Sequence, residues 1–455
     1  MHRTIVVTLT AGAAVSLSGL LVARGTAGPP PAAPTFAKDV APILYKHCTG
    51  CHRPGEIGPF SLLTYESARP HAADIRDEVR DGTMPPWNAD PHVGTFANDR
   101  RLTPAEKDVI ERWADAGAPR GDDTDLPPAP SYTTGWSIGA PDAVVSMPEA
   151  FDVPAQGTIA YQYFEIPTNF TEDRWIQAME VRPGARRVVH HVLVYCREPA
   201  GGTPRPRVLV PRIDLAPPQA IAAPNPNATG TSAPRHALGT LIATTAPGTN
   251  AMVFPAGAAL LIRAGAVLTF QVHYTASGEA ASDRSSIGFV FAKSPPADEI
   301  RSGNFVNGRF VIPAGAASYQ VDSEVGFSDD VHVWGLFPHT HLRGTRWEYH
   351  LVYPDGRSEA ILSVPRYDFN WQTYYMFATP LAVPKGSKIQ ASAWYDNSAA
   401  NRSNPDPTVD VRWGDQTWEE MQYTGISYSV DREHRATVTT APPAPGRPHQ
   451  ERRHP

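Results

Sequence analysis

Cysteine is scarce: there are three in 455 residues, too few to staple a disulfide-rich secreted scaffold. A basic excess is missing as well. Lys and Arg number 40 against 46 Asp and Glu, a formal net charge of −6, so no cationic surface argues for nucleic acid or an anionic membrane as a partner. Past Ala23 the sequence has no stretch of about 18 consecutive apolar residues, the length a bilayer-spanning helix needs. Turn formers are plentiful, with 47 Pro and 35 Gly, yet they fall short of a low-complexity bias. A hydrophobic content of 41% excludes bulk disorder. At roughly 150 residues per domain, the length allows about three domains.

The start reads as an export signal over residues 1–27: a short basic Met1-His2-Arg3, an apolar run from Ile5 to Ala23, then small residues through Thr26-Ala27-Gly28. The expectation is a periplasmic or secreted protein cleaved near Ala27, with membrane attachment only if that segment stays in place.

From 34 to 121 the pattern is helical, with Phe36, Val40, Ile43, Leu44 and His47 at helical spacing and a second helix expected over Ala68 to Arg80. Thr103-Pro104-Ala105-Glu106 is a helix start, with Thr103 as cap, Pro104 at the first helical position and Glu106 completing a capping box. Residues 122–143, rich in Asp and Pro, read as a linker. Beyond Trp136 the period changes to two, as in Ala266–Thr275, Val331–Phe337, Trp347–Tyr353 and Lys388–Tyr395, which predicts an all-β region. Its size favours two β domains, 144–294 and 295–430, broken near Ser294; Pro217–Ser232 is another candidate interruption. Residues 431–455 carry no apolar pattern and read as a disordered tail.

Cys48-Thr49-Gly50-Cys51-His52 has the spacing of a c-type haem attachment site: two thiols reach the two vinyl groups of one porphyrin, and His52 ligates the iron. The competing zinc reading lacks a second Cys pair, and the thioredoxin reading lacks a preceding strand. For the sixth ligand Met84, in the rigid Gly82-Thr83-Met84-Pro85-Pro86-Trp87 loop, is preferred over His71 and His92. Residues 34–121 therefore resemble a small all-α cytochrome c domain.

Sixteen His occur, and in five of them spacing raises the expectation of a ligand. His339-Thr340-His341 puts two imidazoles on one face of an extended segment. His190 and His191 are adjacent, so both rings reach one metal only at a strand end or a bulge. His273 shares a polar strand face with Thr269 and Gln271, opposite the apolar Phe270, Val272 and Tyr274. Imidazole sets suit copper, zinc, iron or nickel alike. A thioether would favour Cu(I), and Met421 in Trp418-Glu419-Glu420-Met421 is a candidate, although spacing alone reads it as a core methionine.

The order His-His, single His before Tyr, His-Thr-His, then Glu-Met resembles the copper type II, ascorbate-dependent monooxygenases, the family of peptidylglycine-hydroxylating and dopamine β-hydroxylating enzymes. Supporting stretches are Ala246-Pro247-Gly248-Thr249, Gln271–Thr275 and Trp394-Tyr395-Asp396-Asn397. The resemblance implies two jelly-roll-like β domains facing each other across an open cleft, each with one copper ion. His190, His191 and His273 would hold an electron-storing copper, and His339, His341 and Met421 the catalytic copper that meets dioxygen. The implied reaction is hydroxylation of a C–H bond of a small organic substrate; the fusion adds the expectation that the tethered haem supplies electrons, in place of or in addition to ascorbate, with a periplasmic protein as a candidate donor to the haem. The alternative is a non-catalytic copper-binding and haem electron-transfer protein. The chain departs from the family in lacking its disulfides, since Cys196 is the only thiol outside the haem motif. It also has Phe337 where the peptide-amidating branch has Arg, and Tyr423 and Gly425 in place of its Asn and Tyr, so peptide amidation is not implied.

Overall fold

A computed structural model describes residues 32–132, 135–199, 209–212, 239–245 and 251–431. The segment read as an export signal, the stretch Pro217–Ser232, Ala246–Thr249 and the residues beyond 431 lie outside the described residues.

The helical part is built from Ala41–His47, Tyr65–Ala68, Ala72–Asp81 and Pro104–Asp115, preceded by a π-helical turn at Phe36–Val40. Phe36, Val40, Leu44, Ile75, Val79, Ile110 and Trp113 close its core. The helix expected over Ala68 to Arg80 is divided by a 3-10 turn, Arg69–His71, because Pro70 has no N–H to give to an α-helical ladder. Gly82 ends the second piece in the left-handed region at φ 71°, which favours glycine. At Thr103 both arms of the capping box form: the Thr103 hydroxyl accepts from the Glu106 N–H and the Glu106 carboxylate accepts from the Thr103 N–H.

The remainder is rich in β-strands arranged in several sheets. A nine-stranded sheet runs in the order Ala143–Ser146, Ser286–Phe291, Arg174–Arg182, Ala258–Ile262, Asp298–Val306, Tyr423–Val430, Val331–His339 and Tyr375–Val383, with Ala251–Val253 paired to Arg174–Arg182. A four-stranded sheet holds Gln162–Pro167, Val267–Tyr274, Val189–Arg197 and Thr240–Thr245. A five-stranded sheet holds Ser358–Val364, Gly344–Val352, Lys388–Tyr395, Tyr319–Phe327 and Leu209–Arg212. One β core gathers around Val192, Phe270 and Phe289, and another around Leu336, Trp347 and Tyr349. The large sheet continues past Ser294, because Asp298–Ile300 pairs parallel with Ala258–Leu260. Leu209–Arg212 crosses in the other direction to pair with Tyr319–Phe327.

One part of 34–121 does not pack with the helices. Trp87, Ala89 and Phe96 belong to the second β core. Backbone bonds hold this segment on the edge strand Tyr375–Val383: the Ala97 N–H donates to the Met376 carbonyl (2.8 Å) and the Ala378 N–H to the Thr95 carbonyl (2.9 Å). The Asn98 side chain donates to the Tyr374 carbonyl and accepts from the Met376 N–H. The physical reason is complementary need: an edge strand offers unpaired backbone groups, and Trp87 and Phe96 have apolar area to bury. The helical part is thus joined to the β region by an inserted segment as well as by residues 122–143.

Candidate metal centres

His190 and His191 start the strand Val189–Arg197, which pairs antiparallel with Val267–Tyr274. The register sets His273 opposite His191 but Tyr274 opposite Val189, leaving His190 as the extra residue of a bulge. A bulge re-aims a side chain that regular pleating would send to the other face, and all three rings converge. Ring centroids stand 5.3 Å (His190–His191), 5.1 Å (His190–His273) and 5.1 Å (His191–His273) apart. One nitrogen of each lies within 4.8 Å of the others, and the Nδ1 atoms of His190 and His191 are 3.0 Å apart. The buried His191 Nε2 and His273 Nδ1 have no hydrogen-bond partner. Burial holds His273 down to about 3 and His191 well below the usual imidazole range, with neighbouring imidazoles adding to the effect. Burial also lowers His190, against a hydrogen bond with Asn370. Neutral imidazole is the form that ligates a metal.

His339 ends the strand Val331–His339, and His339, Thr340 and His341 are all buried. The His339 Nδ1 faces the Gln372 side-chain oxygen at 2.8 Å, and the His341 Nδ1 faces the Glu419 carbonyl at 3.1 Å. Both acceptors call for a proton on Nδ1, which leaves each Nε2 with a free lone pair. The Nε2 of His341 is buried without a partner. Burial lowers His339 to about 4 and His341 well below its ordinary value. Glu420, which is fully buried, accepts from the backbone N–H groups of His341 (2.8 Å) and Arg343 (2.7 Å), fixing the turn that carries the pair. His339 is opposite Tyr423 in the ladder. Met421 follows Glu419 and Glu420 in the chain and stands two residues before Tyr423.

The resemblance implied an open cleft, whereas the two histidine sets meet in a packed seam. His191 and His339 have ring centroids 6.4 Å apart. Tyr161 lies against His191, His273 and His341, and Phe369 against His190, His191, His273 and His341. An apolar cluster of Leu193, Tyr195, Leu241, Phe337 and Tyr374 continues the seam. Sequence spacing did not reveal Tyr161, Phe369, Asn370, Gln372 or Glu420; the one local signal was an aromatic-rich stretch, Tyr367–Tyr375, without strand alternation.

Cys48 caps the helix Ala41–His47, and the turn to His52 is closed by the Cys51 and His52 N–H groups on the Cys48 carbonyl (3.1 and 2.9 Å). The His52 Nδ1 meets the Phe60 carbonyl at 3.2 Å, which leaves Nε2 as the ligating atom. Both thiols are free, and burial raises them, Cys48 to about 12. Phe60 lies between His52 (centroids 5.1 Å) and His71 (3.7 Å, stacked). Met84 lines a cavity of about 490 Å³ shared with Arg366, Asp368, Phe369 and Asn370. His92 is exposed.

No family model and no curated protein matches the chain. Among solved structures it is similar to the major capsid protein P2 of bacteriophage PM2, at 8% identity, over 63% of this chain and 97% of that one, with a TM-score of 0.27. It is also similar to a putative secreted protein from Eubacterium rectale, at 8% identity, over 59% and 69%, with a TM-score of 0.20. Likenesses at this level carry no argument about the chain.

Proposed function

We propose that the chain is an exported copper-dependent monooxygenase that hydroxylates a C–H bond of a small organic substrate with dioxygen. Its fold on this reading is a small cytochrome c-like unit followed by two jelly-roll-like copper domains. The observation that carries the reading is the meeting of two histidine sets in which the buried His191 Nε2, His273 Nδ1 and His341 Nε2 have no hydrogen-bond partner. An unpaired buried polar atom is costly, at roughly 1–3 kcal/mol each, so a metal accounts for them better than packing does.

His190, His191 and His273 would hold one copper, and His339, His341 and Met421 the other. Cys48, Cys51 and His52 would hold a c-type haem, with Met84 as the preferred axial donor. When bound, these groups supply one-electron steps and oxygen activation, two electrons being needed for each oxygen atom inserted. The protein fixes the donors beforehand. Gln372 and the Glu419 carbonyl set the tautomers of His339 and His341, Glu420 holds the turn between them, and Tyr161 and Phe369 keep water from the seam.

The test is oxygen uptake by the copper-loaded, haem-containing chain over a panel of small organic compounds, with product analysis. Uptake matched by a hydroxylated product supports the proposal. The packed seam favours a second reading, a non-catalytic copper and haem electron-transfer protein. Reversible copper and haem reduction without product would select it.

A further inference from the structure

The loop that carries Met84 is packed on the β region. Arg366 donates to the carbonyls of Asp81 (3.3 Å) and Gly82 (3.2 Å). A Cβ added at Gly82 would stand 3.2 Å from the Arg366 guanidinium, so the approach is close. Beside this contact is the cavity of about 490 Å³, with Glu78 and Met84 on its helical side and Arg366, Asp368, Phe369 and Trp371 on its β side. Protein interiors are otherwise close-packed. A concavity of several hundred Å³ that combines aromatic rings with a few polar groups has the size and character of a small-molecule or cofactor site.

The turn that carries the Cys48–His52 motif abuts the β region as well. Glu56 pairs with Arg53 (3.0 Å) in its own turn and with Arg186 (3.4 Å) in the β region, both Glu56 and Arg186 being largely buried. Burial raises the Cys51 thiol while Arg100, Arg53 and Arg186 act against it, so this cysteine lies in the field of a β-region guanidinium. Arg186 belongs to the turn closed by the Val188 and Val189 N–H groups on the Ala185 carbonyl, which leads into His190. Asn370, from the wall of the Met84 cavity, is hydrogen-bonded to that same His190. The two loops assigned to the two faces of one haem therefore rest on neighbouring parts of the β region.

We propose that the β region completes the haem pocket: the haem attached at Cys48 and Cys51 occupies the cavity that Met84 shares with Arg366, Asp368, Phe369 and Trp371. This rests on the haem assignment made above and not on the copper assignment. Phe369 and Trp371 offer ring faces to a porphyrin. Arg366 is the one cation among the lining residues, set against the carboxylates of Glu78 and Asp368. A carboxylate near the iron favours Fe(III) and a guanidinium favours Fe(II), so these β-region charges set part of the haem's reduction potential.

The test is a redox titration of the haem in the full chain, before copper is added, followed by absorbance. Asp368→Asn removes a negative charge and should raise the potential, whereas Arg366→Gln removes a positive one and should lower it. For a unit charge within about 10 Å at an effective dielectric near 20, the change is on the order of tenfold in the redox equilibrium, or ~59 mV for one electron. The control is Asp355→Asn, at an exposed carboxylate past the far end of the strand Gly344–Val352, whose first residue lines the cavity. It should leave the potential where it is. Shifts of opposite sign in the two lining variants, absent from the control, support the proposal. No shift in either, or an equal shift in the control, overturns it. If Arg366→Gln also alters the axial-ligand spectrum, the sign of the Asp368→Asn shift decides alone, a rise supporting the proposal and a fall or no change overturning it. A chain without covalent haem overturns the haem assignment and this proposal with it, whereas a haem-bearing chain that binds no copper overturns only the proposed oxygenase function.

Discussion

His191 and His339 come from different sheets and have ring centroids only 6.4 Å apart. Each is buried and held neutral mainly by desolvation, and the charge that would form on His339 is among the influences lowering His191. Two histidine sets this close share Tyr161 and Phe369 as neighbours, so a change at one set should be felt at the other.

Gln372→Ala removes the acceptor that orients His339. Loss of such an outer partner typically lowers metal affinity by about 10–100-fold. Copper titration should show that weakening at the His339 set and little change at the His190 set. Equal weakening at both would mean that Gln372 supports the whole seam and not one ligand.

Trp87→Ala should destabilise the β region more than the helical one. Trp87 is 5% exposed within the second β core, and truncating a buried Trp costs about 3–5 kcal/mol. Hydrogen exchange should locate the loss in the strands around Tyr375–Val383 while the Ala72–Asp81 and Pro104–Asp115 helices stay protected. For the same reason, deleting residues 34–121 should strip apolar side chains from the β core and lower its stability.

The Thr103–Glu106 box gives the helical part an acid-sensitive element. Partial burial tends to raise the Glu106 carboxyl, but hydrogen bonds from the Thr103 N–H and hydroxyl, and from His47 and Lys46, outweigh it and bring the value to about 2. A carboxyl lowered on folding stabilises above its unfolded value of about 4.3, and the contribution is lost as pH falls toward 2. Thr103→Ala should cost about 1 kcal/mol at neutral pH. Its difference from wild type should shrink between pH 4 and pH 2, which thermal melts across that range will show.

Cys48→Ser or Cys51→Ser should abolish haem that survives a denaturing gel. Met84→Ala should change the axial-ligand spectrum. An unchanged spectrum would transfer the sixth position to His71, whose ring stacks on the Phe60 that also touches His52.

What was readable in the sequence is what depends on neighbours along the chain. The strand Val267–Tyr274 follows from its alternation, the Thr103 cap from four consecutive residues, and the candidate histidines from their spacing, while their grouping into two sets came from the family resemblance. That His190 and His191 need a strand end or a bulge to converge was also readable, since adjacent side chains on a regular strand diverge. The position of the bulge is set by pairing with Val267–Tyr274, which no local pattern encodes. Phe369, Asn370 and Gln372 sit in a connecting segment without periodicity, and they gain their role only when that segment is folded between two sheets. The docking of Trp87 and Phe96 was hidden for a similar reason: edge pairing with Tyr375–Val383 joins residues far apart in the chain, and residues 87–98 sit in a stretch whose flanks are helical.

On the proposed function, two adjacent histidine sets each hold a copper ion beside a covalent haem. Metal analysis of purified protein, combined with a haem stain and repeated on variants of each set, tests it most directly. Two coppers and one haem per chain are expected. One copper should be lost in His190→Ala, His191→Ala or His273→Ala, and the other in His339→Ala, His341→Ala or Met421→Ala. A copper content that stays at two in every variant, or wild-type protein without copper, would contradict it.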